Sequence, residues 1–222
     1  MHPMLRPVTV ICGHYGTGKT NLALNAAAMA AREGARTALI DLDLVNPYFR
    51  SSDHIAALTA LGVTMIPPVF AGTTLDVPAI PPQVAAVLAG DFERLIVDLG
   101  GDDAGGTVMG SLGEHSPADA AVLCVINRFR PMVADPAGAL AVLHEIEAAS
   151  GLSVTGLVNN SHLGRDTAAT DILDGVRYAA EIADACALPL LANTVPPNLW
   201  ADPTLSALPC PFPIEILVTT PW

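Results

Sequence analysis

The residues with the clearest chemistry are Gly13, His14, Tyr15, Gly16, Thr17, Gly18, Lys19 and Thr20. They fit the pattern G-x-x-x-x-G-K-[ST] without a mismatch. Lys19 is the only lysine in the chain; the other strong cations are all arginines. Glycines at this spacing let the backbone curl until several N–H groups face one anion. A helix that starts at the end of the loop adds its positive dipole end and its unbonded N–H groups. Lys19 then offers a mobile point charge to the β- and γ-phosphates of a nucleotide, and the Thr20 hydroxyl can ligate Mg²⁺. The flanking sequence suits this chemistry. Residues 8–12 form an apolar run that reads as a buried strand, and residues 21–31, rich in Ala and Leu, read as a helix.

Three carboxylates complete the chemical set. Asp98 closes the apolar run Leu95-Ile96-Val97 and precedes Leu99-Gly100-Gly101. A carboxylate at the end of a buried strand beside a phosphate loop holds Mg²⁺, often through water; the bland alternative is a cap or turn aspartate. Asp41 and Asp43 are two apart, so they point to the same side of an extended strand. One can help hold the metal while the other orients the attacking water; the alternative is a solvated acidic turn. The stretch 98–106 carries four glycines and three acids, a loop that a γ-phosphate could order and hydrolysis release.

The elements that must position these residues alternate between strand and helix. Strands are expected at 36–43, 63–66, 94–98, 120–127, 153–159 and 188–194. Helices are expected at 52–61, 81–88, 136–149 and 166–185. The proline-punctuated tail gives one more candidate, an edge strand over 214–218. Such alternation predicts an α/β protein with a three-layer α/β/α, doubly wound, mostly parallel sheet, and residues 1–222 as one domain. Ligands on such sheets bind at the carboxyl ends of the strands. Gly13, Asp41, Asp43, Asp98, Asn127, Asn159 and Asn160 should therefore face one crevice.

Composition narrows the function classes. A formal net charge of −12 argues against nonspecific binding to nucleic acid or an anionic membrane. No apolar run reaches membrane-spanning length, and the first residues do not read as a signal peptide, so a cytoplasmic location is expected. The four cysteines show no C-x-x-C spacing, and Cys12 and Cys124 fall in apolar strands as small core residues. Arg50, Arg128 and Arg130 are further candidates for phosphate or partner contacts, weighed against a plain surface role.

Three motifs together carry a resemblance: the 13–20 loop, Asp41-Leu42-Asp43 followed by Asn46-Pro47, and Asp98-Leu99-Gly100-Gly101. Across residues 8–194 the chain resembles the deviant Walker-type P-loop ATPases. These include the ParA/MinD positioning ATPases, the nitrogenase iron protein, the CooC-type nickel-insertion ATPases and the nucleotide-binding domain of cobyrinic acid a,c-diamide synthase. The resemblance implies the P-loop NTPase fold, with ATP and Mg²⁺ as ligands. Lys19 and Asp43 would be catalytic, and Thr20, Asp41 and Asp98 would hold the metal. Residues 13–20 and Asn21 would cradle the nucleotide, with Asn159 and Asn160 on the strand that reads the adenine.

There are two departures. The group's signature lysine after the first glycine is His14 here, which puts its sandwich dimer in doubt, although a protonated His14 could substitute. No cysteine lies near the Asp98 loop, which argues against an iron–sulfur or nickel site. The function that the resemblance implies is a slow Mg-ATP-dependent switch acting on an unidentified protein partner, with an ATP-dependent homodimer. Against the membrane docking of the positioning ATPases, the acidic net charge and a tail at 209–222 that is neither basic nor helical in pattern predict no nucleic-acid or membrane binding. The alternative is an ATP-dependent ligase or amidotransferase-like metabolic enzyme.

Overall fold

A computed structural model describes residues 2–42, 52–66, 90–100 and 120–218. The expected helix at 81–88, Asp43, the segment 46–50 and the acidic glycine-rich stretch beyond residue 100 lie outside the described residues.

Among the described residues, eight strands form one sheet. They are β1 (Val8–Cys12), β2 (Thr37–Asp41), β3 (Thr64–Ile66), β4 (Arg94–Asp98), β5 (Ala121–Ile126), β6 (Gly156–Asn159), β7 (Leu190–Val195) and β8 (Pro211–Pro213). Their order is β3-β2-β4-β1-β5-β6-β7-β8, and every pairing is parallel. The strands have no polar alternation because helices cover both faces. Val10, Ile40, Val97 and Cys124 point to one face, where α3 (Pro136–Ser150) and α4 (Ala169–Cys186) pack through Leu143, Tyr178 and Ile182. Ile11, Leu39, Ile96 and Leu123 point to the other, under α1 (Lys19–Arg32) and Leu58 of α2 (Ser52–Ala60). This is the three-layer α/β/α architecture expected from the alternation.

Local sequence explains the element ends. Helix α3 starts on Asp135, whose carboxylate accepts from Gly138 N at 2.9 Å, with Pro136 in the first turn. It stops at Gly151, which adopts the left-handed conformation. Helix α4 begins later than the periodicity predicts. Residues 164–166 form a tight 3₁₀ turn, closed by Thr167 Oγ1 donating to Gly164 O at 2.6 Å, and the α-helix starts only at Ala169.

The tail corrects one expectation. The edge strand is Pro211–Pro213, with Phe212 fully buried; Ile214 N still bonds Val195 O of β7, and residues 215–218 then leave the sheet to lie on α1. Asn21 and Asn25, one helical turn apart, hold them there. Both Nδ2 groups donate to Glu215 O, at 3.0 and 2.9 Å, while Asn25 Oδ1 accepts from Glu215 N and Asn21 Oδ1 from Leu217 N. Backbone groups that sequence pattern assigns to a strand are thus paired with side-chain amides. With the sheet below and the tail above, α1 is buried nearly all round, and its run of alanines lets both sides approach closely.

Connections place the crevice. Strands β1 and β5 are neighbours, but α1 leaves β1 on one face and α3 follows β5 on the other. That divergence is the topological switch point of an open α/β sheet. The 13–18 loop follows β1, and residues 127–130 follow β5, so both segments rim the same opening.

Candidate functional site

The loop between β1 and α1 is shaped by close backbone packing. Gly13 has φ of 145°, and a Cβ there would sit 2.6 Å from the Val125 carbonyl oxygen of β5. Gly18 has φ of 94°, and a Cβ there would overlap the Asn160 amide nitrogen. Both positions require glycine for conformation and for space. Thr17 is fully buried; its N–H and its Oγ1 donate to His14 O at 3.2 and 2.8 Å and fold the loop on itself.

Helix α1 opens directly on this loop. Gly18 is its N-cap, with no side-chain capping bond and no acidic residue in the first turn. The N–H groups of Lys19, Thr20 and Asn21 have no residue four back within the helix to bond. They form the electropositive end that an anion seeks. Lys19 is only 5 % exposed, and its Nζ donates to His14 O at 3.2 Å, so the ammonium is folded over the loop. The same carbonyl thus receives the loop's threonine and its lysine. The His14 ring turns back on its own chain, with Nδ1 3.0 Å from Tyr15 O, and Tyr15 is exposed.

The carboxylates stand on the neighbouring strands. Asp41 of β2 and Asp98 of β4 are partners in register, and Asp98 is also level with Ile11, two residues before Gly13. Asp98 is buried at 2 % exposure and Asp41 is half-buried. Among the described residues, no group of three or more His, Cys, Asp or Glu converges. An all-oxygen set of one or two carboxylates and a hydroxyl suits Mg²⁺, which takes its remaining ligands from water and phosphate.

On the other flank, amides and hydroxyls form a buried network under the loop. Asn160 Nδ2 donates to Thr17 O at 2.7 Å, and its Oδ1 accepts from Thr194 Oγ1 at 2.7 Å and from His162 Nε2 at 3.1 Å. Asn159 Nδ2 donates to Asn193 Oδ1 at 2.9 Å, and its Oδ1 accepts from Ser161 N at 3.2 Å. The side chains expected to read a base are therefore engaged inside the protein, as braces between β6, β7 and the phosphate loop. Likewise the Asn21 side chain is engaged by the tail, leaving its N–H as its group at the loop.

His162 is held as a neutral ring. Its Nδ1 accepts from Gly164 N at 3.0 Å, so the proton sits on the Nε2 that faces Asn160. Burial, with the Arg130 cation in second place, lowers its pKa to about 4. Sequence reading missed His162 and Asn193: Asn193 matters through Asn159, 34 residues away, and His162 through Asn160, whose own reach to the phosphate loop is not visible in the local sequence. Beneath the loop, the Cys12 and Cys124 thiols are register partners in β1 and β5 and are both buried. Cys12's thiol and burial push Cys124 well above the ordinary thiol range, so Cys124 is not a reactive nucleophile.

No family model and no curated protein matches the sequence. Solved structures match the fold. The cell division protein FtsY from Thermotoga maritima is 20 % identical with a TM-score of 0.53, over 85 % of this chain and 61 % of that one. Chloroplast FtsY from Physcomitrella patens is 18 % identical with a TM-score of 0.54, over 83 % and 57 %. The signal recognition particle 54 kDa protein from Aeropyrum pernix, solved in complex with GDP, is 16 % identical with a TM-score of 0.53, over 86 % and 41 %. The chain has the P-loop NTPase fold. It spans less than two thirds of each of these proteins. Among the described residues, no helix is long and apolar enough to cross a membrane.

Proposed function

We propose that this chain binds a Mg-nucleoside triphosphate, ATP in preference to GTP, and hydrolyses it slowly as a switch on a protein partner. The observation that carries the reading is the phosphate loop itself. It combines a glycine-dependent nest closed against β5 and Asn160, an uncapped helix end, the folded-over Lys19 ammonium, and Asp98 one strand away. When bound, Mg²⁺ would neutralise developing phosphate charge, with Thr20, Asp41 and Asp98 as its protein oxygens. Lys19 would exchange its His14 carbonyl for a phosphate oxygen. Asp43 would orient water, as the family resemblance implies.

The preference for ATP rests on the residues after β6. Guanine presents two adjacent N–H donors, and an N-K-x-D element supplies a carboxylate to accept them. In Asn159-Asn160-Ser161-His162 the fourth position is a neutral imidazole with both nitrogens engaged. The GDP seen on the fold neighbour from Aeropyrum pernix favours the second reading, GTP. The switch reading extends to an ATP-dependent homodimer. The ligase-like alternative would need a small acid that stimulates turnover. Four free cysteines and an acidic surface fit the cytoplasm.

Phosphate release from Mg-ATP and Mg-GTP, with size-exclusion runs in each nucleotide, tests this. The expected result is slow turnover of ATP at least tenfold above GTP. Faster turnover of GTP would overturn the base assignment, and turnover of neither, with no binding, would overturn the nucleotide reading.

A further inference from the structure

The turn after β5 carries two arginines, and the structure treats them differently. Asn127 is buried at 2 % exposure and builds the turn: its Oδ1 accepts from Phe129 N, and its carbonyl from Arg130 N, each at 3.0 Å. Arg128 N donates to Ser161 Oγ at 3.0 Å, and Pro131–Val133 follows as a 3₁₀ turn with Val133 N bonded to Arg130 O. The backbone that carries Arg130 is thus fixed on both sides.

The Arg128 side chain is occupied. Its Nη1 lies 3.7 Å from Asp174 Oδ2 on α4, and its guanidinium stands over the Phe129 ring. Arg130 instead runs across the opening to the phosphate loop. A Cβ built on Gly16 would lie 3.6 Å from Arg130 Nε and 3.9 Å from Cζ. The guanidinium therefore rests on the exposed crest of the loop. No carboxylate pairs with it among the described residues, although the chain carries a net charge of −12. An arginine in so acidic a protein that lies against the phosphate loop, with no carboxylate partner among the described residues, stands where an added anion would be electrostatically favoured.

We propose that Arg130 is a phosphate-contacting residue, a second cation that the same chain places across the switch-point crevice from Lys19 to grip the nucleotide's polyphosphate. This rests on the nucleotide reading above. Lys19 alone gives a triphosphate one ammonium; Arg130 adds a planar donor fork from the opposite strand, on a rigid turn that need not move to reach it. Gly16 suits this arrangement, because even a Cβ there would already touch the arginine side chain, leaving no room for a larger residue without moving it.

Calorimetric titration tests the proposal, with Mg-ATP, Mg-GTP and adenosine as probes at low salt. The proteins are wild type, Arg130→Ala, Arg130→Lys and Arg177→Ala, the last removing the same charge from the exposed face of α4. Arg130→Ala should weaken the favoured triphosphate by at least tenfold and flatten its salt dependence, with adenosine unchanged. Arg130→Lys should recover part of the loss, and Arg177→Ala should stay within twofold of wild type. Equal triphosphate affinity in Arg130→Ala and wild type would overturn the inference, as would an equal loss in Arg177→Ala. A wild type that binds neither triphosphate would overturn the nucleotide reading beneath it.

Discussion

The phosphate loop is held in two different ways on its two sides. Its buried side meets neutral groups whose partners are complete: the Val125 carbonyl behind Gly13, and the Asn160 amide shared among Thr17, Thr194 and His162. Its open side meets cations whose partners are not: Lys19 on a single loop carbonyl, and Arg130 resting on Gly16. The buried side fixes shape and draws its stability from satisfied hydrogen bonds in a dry setting. The open side holds charge ready for a ligand. Damage to the first should appear as lost stability, with binding following. Damage to the second should appear in binding while the fold stands.

The largest stability effect is expected at Asn160. Asn160→Ala removes one side chain, leaves the Thr17 carbonyl and the His162 N–H without this partner, and leaves the Thr194 hydroxyl with only its longer bond to Asn159 O. Each buried polar group so abandoned costs about 1–3 kcal/mol. Urea unfolding should show a loss of about 3 kcal/mol, with weaker Mg-ATP binding alongside. A midpoint equal to wild type would mean that the loop keeps its shape without this brace.

A smaller effect is expected from pH, through His162. The folded ring resists its proton, with a pKa of about 4 against 6.5 for an ordinary histidine. The unfolded chain therefore binds the proton first, and stability falls as pH drops from about 6.5 toward 4. Between pH 7 and pH 5 this contributes a loss of about 2 kcal/mol. In His162→Gln that part of the pH dependence should vanish while the acid groups keep theirs. A variant as pH-sensitive as wild type in this window would show that His162 is not held neutral.

Legibility followed the same division. The loop was readable because its spacing is local: eight consecutive residues between an apolar strand and an Ala-rich helix. The parallel sheet was readable because covered strands lose their alternation, as in residues 121–126. The braces were not. Asn160 was singled out as a base reader, yet besides His162 its partners lie 143 and 34 residues away in the chain, and nothing near it in sequence announces those two. The tail misled for a related reason. Residues 214–218 carry a strand's pattern, but their backbone is paired with Asn25, 190 residues earlier. Arg130 was visible only as one of three candidate arginines; the fold separates it from Arg128 by giving one an acid and the other a phosphate loop.

The central claim is that this loop grips a nucleotide's phosphates through Lys19, and titration of wild type and Lys19→Ala with Mg-ATP tests it most directly, paired with thermal unfolding of both. The account predicts that wild type binds, that the variant loses roughly a hundredfold in affinity, about 2.7 kcal/mol, and that its melting temperature without nucleotide stays near wild type. Equal binding by the two proteins, or no heat from wild type with any Mg-nucleoside triphosphate, would contradict it.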